Sequence, residues 1–172
     1  MAEITDFFGR MLIAIQNRIV SEVPEIRWID QDLGQLDFYE MERPAVAWPC
    51  VLIDFGNTQY DELHQSTQSA SPAIQFKLGF PPYSPSDQKA PLEVRANSLK
   101  FYALEEKLYK AFQHWDADGL CQPMTRTSGI TEKREDPIRV RVMTFTTTFH
   151  DNSAVPETES IPRPKIEFGF KS

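Results

Sequence analysis

Apolar residues recur at intervals of three and four at the start of the chain: Ile4, Phe7, Phe8, Met11, Leu12, Ile15 and Ile19. Positions so spaced share one stripe of an α-helix, while Arg10, Gln16, Asn17 and Arg18 fall largely off it. The pattern therefore predicts an amphipathic first helix facing the core. Thr5 or Asp6 offers a capping oxygen at its start, and Pro24 makes it end close to Glu22. Beyond Pro24 the period changes. Residues 26–29 and 36–39 read as two short strands around a turn at Gly34. Residues 45–55 (AVAWPCVLIDF) are a nearly continuous apolar run with β-branched and aromatic members, as in a strand covered on both faces. Pro49 cannot donate to a ladder, so it belongs at that strand's start or at a bulge. Residues 56–71 are mostly polar and read as a long loop or an extended hairpin arm.

In residues 73–80, Ile74, Phe76, Leu78 and Phe80 alternate with Gln75, Lys77 and Gly79, the signature of a half-buried strand. Pro81, Pro82 and Pro85 end it, and Pro91 suits the first turn of a second helix reaching about His114. The apolar face of that helix is read as Leu99, Ala103, Leu104, Leu108, Ala111, Phe112 and Trp115. Residues 120–127 form a strand that Pro123 consigns to an edge or a bulge. Residues 138–150 carry the clearest strand, with apolar and polar members in both alternating sets, so it is partly covered on both faces. Its run of threonines, 144–148, is a pairing hazard if it lies on an open edge. The fold class that follows is α+β: a mixed or antiparallel sheet of about four to six strands packed on two helices, with long hairpin loops. One domain spans residues 1–151, and residues 152–172 form a Pro-rich C-terminal extension.

With 172 residues, 41% of them apolar and twelve of them Phe, the chain has material for one substantial core. No apolar run approaches the roughly 18 residues of a membrane span, so no membrane partner is expected. Glu3 and Asp6 at the start, without a basic lead, do not read as a signal peptide. Cys50 and Cys121 are far apart and make no metal-type pair, which fits a reduced, cytoplasmic setting. The net charge of −7 is uneven: residues 1–60 hold ten acidic and four basic side chains. The nearest basic cluster, Lys133, Arg134, Arg139 and Arg141, is diluted by Glu132, Glu135 and Asp136. Sequence-specific nucleic-acid binding needs a cationic surface and is not expected here; an acidic face meeting a protein fits better.

Motifs for chemistry are sparse. The seven glycines are scattered singly, no G-x-S-x-G elbow occurs, and His64, His114 and His150 share no ligand spacing. Asp116, Asp118 and Gly119 resemble the middle of a calcium loop, but counting from His114 puts Thr125 where a bidentate Glu is needed. A polar turn after a helix is the far simpler account of them. His150-Asp151 has the composition of a general-base pair without a nucleophile to serve, and a surface histidine is the simpler reading. No catalytic, cofactor-binding or metal-binding residue is assigned, and no cofactor is expected. The features that stand out suit assembly. Ile166, Phe168 and Phe170 alternate near the C-terminus, as in an arm that adds a strand to a neighbour, or else in a frayed tail.

The opening helix ITDFFGRMLIAIQNRI, the run ERPAVAWPCVLIDF, the strand AIQFKLGF, the helix LEVRANSLKFYALEEKLYKAF and the closing RVRVMTFTTTFHD come in a telling order. Together, over roughly residues 4–151, the chain resembles the tail terminator (tail completion) proteins of long-tailed bacteriophages. The resemblance implies a structural virion protein, not an enzyme. Such proteins form hexameric rings that cap the tail tube and join it to the head–tail connector. The partners implied are other copies of the chain, the tail tube protein and a connector or neck protein; the place implied is the virion tail, assembled in the bacterial cytoplasm. A neck or head-closure protein of the same virions is the alternative, and a small hydrolase or metal-dependent enzyme a more distant one. In a ring, Asp30, Asp32, Asp37, Glu40 and Glu42 are candidates for an acidic rim or lumen, against a plain solvated acidic face.

Overall fold

Asp6 begins the first element: its carboxylate accepts a hydrogen bond from the Gly9 amide at 2.7 Å and caps α1 (Phe7–Glu22). The helix ends two residues before Pro24, and Met11, Ile15 and Ile19 are fully buried along it. Ile4 precedes the cap and stays exposed. The structure, a computed structural model, describes residues 4–37, 46–81 and 85–156.

Among the described residues six strands form one open sheet: β1 (Trp28–Gln31), β2 (Cys50–His64), β3 (Thr67–Phe80), β4 (Thr125–Thr131), β5 (Arg139–Thr146) and β6 (Phe149–Asp151). Their order is β1-β2-β3-β5-β4, with β6 also beside β3. β1 runs parallel to β2 and every other pairing is antiparallel, so the sheet is mixed. Two helices pack on it: α1, and a bent second helix made of α2 (Leu92–Ser98) and α3 (Lys100–Phe112). The fold is α+β.

β3 lies at the centre because its alternation matches the pleat. Ile74, Phe76, Leu78 and Phe80 are fully buried beneath the helices. Phe76 sits 4.6 Å, centroid to centroid, from Phe112 of α3 and 5.4 Å from Phe145 of β5. A second, smaller apolar cluster covers the opposite face: Leu36, Cys50, Leu52, Ile138 and Val140, with Val46, Trp48 and Val142 packed against it. This is why β2 and β5 carry apolar residues in both alternating sets. A Cβ on Gly79 would stand 2.8 Å from Cys50 Sγ and 2.9 Å from the Trp48 ring, so only glycine lets the second cluster close on β3.

Several elements differ from the sequence reading, each for a physical reason. Among the described residues no hairpin forms around Gly34, where strands at 26–29 and 36–39 were expected. β1 pairs instead with β2, and Gly34 (φ 82°) turns the chain over the sheet so that Leu36 is buried in the second cluster. The remainder of the expected second strand lies outside the described residues. The apolar run at 45–55 becomes a strand only at Cys50, directly after Pro49. The second helix bends because the Ser98 hydroxyl donates to the Arg95 carbonyl at 2.7 Å, competing with the helical ladder. After the bend Phe101 is buried, while Leu99 and Ala103, expected on the apolar face, are exposed.

The edge strand expected at 120–127 starts only at Thr125, because His114 and Met124 and then Met124 and Trp115 hold the preceding loop closed through backbone hydrogen bonds. The long strand at 138–150 is interrupted at residues 147 and 148. Its two parts keep one register on β3, which puts Pro72 opposite Thr147, and proline has no N–H for the ladder. Thr147 and Thr148 bond the Gln122 backbone instead. The threonine run escapes the pairing hazard, since β4 covers β5 as far as Thr146.

Candidate functional site

Two surfaces stand out. The first is the distal half of the β2–β3 hairpin. β1 accompanies β2 only along Cys50–Ile53, so from Asp54 to His64 the outer edge of β2 has no strand partner among the described residues. Residues 59–66 are all exposed, including Tyr60 and the 53%-exposed Leu63. Register shifts between Phe55 and Thr58 and between Glu62 and His64 add twist to this strand. The turn closes through Ser66 at φ 65°. On the other side, β6 pairs Gln68–Ala70 close to the turn, and Phe149 stacks on Phe7 of α1 at 3.4 Å, which ties the β3 side of the distal hairpin to the body. Ser153 and Ala154 line a small pocket of about 230 Å³ with Glu62, His64, Ser66 and Gln68. The chain thus leaves the fold beside the hairpin tip.

The second surface is a charged clamp over the small cluster. Lys77 of β3 reaches Asp32 at 2.8 Å, Asp37 at 3.3 Å and Glu132 at 3.9 Å. Arg134 bonds Asp136 through Nε and Nη2, Glu132 at 3.0 Å, and the Leu36 carbonyl. Burial pulls the Lys77 ammonium down, but the hydrogen bond to Asp32 and the charges of Asp32, Asp37 and Glu132 outweigh it and raise its pKa. Hydrogen bonding from Arg134 holds the Asp136 carboxyl below its ordinary range.

These contacts bear on the acidic residues singled out in the sequence. Asp32 and Asp37 face Lys77 of their own chain, which balances part of their charge. Asp30 is half-buried and accepts from the Gln31 amide at 2.8 Å. Glu40 and Glu42 lie outside the described residues, as do Ile166, Phe168 and Phe170. Sequence reasoning did not foresee the clamp, because its members come from residues 32–37, 77 and 132–136, and nothing local marks them as neighbours. It also left residues 56–71 open between loop and arm, since residues 59–66 meet solvent on both faces and the stretch shows no apolar alternation.

Residues 114–119 form a tight loop after α3. His114, Ala117, Asp118 and Gly119 all have positive φ, and the Asp116 carbonyl accepts from the Cys121 amide at 3.1 Å, which closes the loop on itself. Asp118, Gly119 and His150 border an open groove of about 660 Å³ beside Ile4, Arg10 and Ile13 of the α1 region. Among the described residues no group of three or more His, Cys, Asp or Glu is arranged to hold a metal ion. Cys50 is fully buried, and burial pushes its thiol up to about 12. No helix among the described residues is long and apolar enough to cross a membrane.

The clamp has a pH signature. Asp136 titrates lower in the fold than in the unfolded chain, so its stabilisation is complete above about pH 4 and is lost as pH falls through the lower, folded value. Between pH 6 and pH 3, the unfolding free energy of the native chain should therefore fall more steeply than that of the Asp136→Asn variant. Urea unfolding at each pH measures this; equal slopes would remove Asp136 from the acid response. Compared with known proteins, the chain matches no family model and no curated protein.

Proposed function

We propose that this protein is a structural subunit of the tail of a long-tailed bacteriophage: a tail terminator whose ring caps the tail tube and joins it to the head–tail connector. The observation that carries the reading is the β2–β3 hairpin, whose distal half projects an unpaired strand edge. Exposed backbone donors and acceptors of this kind are a template for pairing with another chain. The order of elements, a helix, a long hairpin, a bent helix and closing strands, also fits the resemblance seen in the sequence.

In a closed ring each subunit meets its two neighbours through two different patches, and the hairpin supplies one of them. The partners in this reading are further copies in a homo-hexamer, the tail tube protein and a connector or neck protein. Its place is the virion tail, reached by assembly in the bacterial cytoplasm. The role is structural and involves no reaction. Asp30, with Glu40 and Glu42, contributes to an acidic rim or lumen that repels passing DNA, while Asp32 and Asp37 serve the clamp.

Light scattering across a concentration series, followed by electron microscopy with purified tail tubes, tests the proposal. The expected result is a mass near six times 19.8 kDa, or a monomer that assembles on tubes, with tube ends capped in either case. A strict monomer that leaves tube ends bare would overturn it. Bare tube ends together with binding to connector rings would reassign the protein to the neck.

A further inference from the structure

We propose that residues 165–171 of one copy add as a strand to the outer edge of β2, residues 54–64, of the next copy. The inference rests on the self-assembly in the reading above and names the joint that performs it. Three observations select this edge and this occupant.

Length and placement come first. The free edge spans eleven residues, about 36 Å of extended chain, and seven residues of arm occupy about 23 Å of it. β6 runs antiparallel to β3 toward the hairpin tip, and Ser153 and Ala154 lie beside that tip. Just past β6 the Val155 amide donates to the Asn152 carbonyl at 3.0 Å, a turn beside the tip. Pro156, Pro162 and Pro164 follow, and each ring fixes φ and keeps the tether from forming a helix. At about 3.1 Å per residue, a ten-residue tether of extended chain can span up to roughly 30 Å, enough to reach a neighbouring copy.

Charge comes second. The edge carries Asp54, Asp61 and Glu62, all exposed, and residues 165–171 carry Lys165 and Lys171 against Glu167. β4, the other long edge, bears Arg126 and no carboxylate. Side-chain pattern comes third. Thr58, Tyr60 and Glu62 pair with Pro72, Ala70 and Gln68, so they share one face of the hairpin, where Tyr60 offers an exposed ring. Ile166, Phe168 and Phe170, at alternate positions, present one apolar face to meet it.

Cysteine cross-linking between two pools of the full-length protein tests this. One pool carries Thr58→Cys, Tyr60→Cys or Glu62→Cys, and the other Ile166→Cys, Phe168→Cys or Phe170→Cys, so that the register is covered. Cys50 and Cys121 are buried and their thiols are pushed up by burial, which keeps the background low. After mild oxidation, at least one mixed pair should yield a disulfide-linked dimer, at least tenfold above a control in which the edge pool carries Val20→Cys. Cross-links found only inside single chains bearing both cysteines would overturn the exchange between copies. Yields at the control level in every pair would overturn the choice of edge.

A charge swap supplies an independent readout on exposed positions that leave the core untouched. Asp54→Lys with Asp61→Lys, on the face opposite Tyr60, should weaken self-association at least tenfold in sedimentation, and Lys165→Glu with Lys171→Glu in the same chain should restore it. Unchanged association in the first variant would count against the proposal. Six-copy rings without cross-links would sink this joint and leave the terminator reading standing. Cross-linked copies that leave tube ends bare would do the reverse.

Discussion

Replacing Arg134 by methionine is expected to lower the unfolding free energy by about 1–3 kcal/mol, the range for leaving hydrogen-bonded groups without their partner. The Arg134 side chain is 11% exposed and that of Asp136 8%, so water makes up the lost contacts only in part. The substitution strands the Asp136 carboxylate and removes a donor from the Leu36 carbonyl. Leu36 is the fully buried residue that the turn after β1 contributes to the second cluster, so losing its pin loosens the cover of that whole face. Urea unfolding of the native chain, Arg134→Met, Asp136→Asn and the double variant would measure the effect. The double variant should recover part of the loss, because it removes the stranded charge as well as its partner. A loss below about 1 kcal/mol for Arg134→Met would place these pairs with ordinary surface salt bridges.

Truncation of Phe76 to alanine should cost about 3–5 kcal/mol, the range for deleting a buried aromatic side chain and leaving a cavity. Phe76 is fully buried on the central strand and touches rings from a helix and from the neighbouring strand, Phe112 and Phe145. Its loss therefore weakens the joint between sheet and helices rather than one edge. Chemical denaturation measures the change. A loss near 1 kcal/mol would mean that α3 settles into the space, and circular dichroism of the folded variant would then still show its full helix signal.

The two predictions differ in how visible their residues were beforehand. Phe76 could be placed in the core from sequence, because a strand's side chains alternate with period two and its neighbours Ile74, Leu78 and Phe80 repeat the pattern. The stripe of α1 was legible in the same way, through spacing of three and four. Arg134 was read only as a diluted basic residue. Its partners are two residues away on either side and, at Leu36, almost a hundred residues away, so no window of sequence contains the clamp. The acidic residues show the same limit: Asp32 and Asp37 looked available for a partner until folding brought Lys77 beside them.

Local periodicity, by itself, determined the α+β class, the buried face of α1, the buried set of alternating residues on β3 and the two-sided covering of β2 and β5. These follow from which side chains a helix or strand presents to one side, and that is written in consecutive residues. Only the tertiary structure decided the parallel pairing of β1, the interruption of the last long strand opposite Pro72, the ionic clamp and the length of free edge on β2. Each of these depends on which residues meet across the sheet. A proline breaks a ladder through the strand it faces, and a carboxylate is neutralised by whichever cation the fold delivers to it.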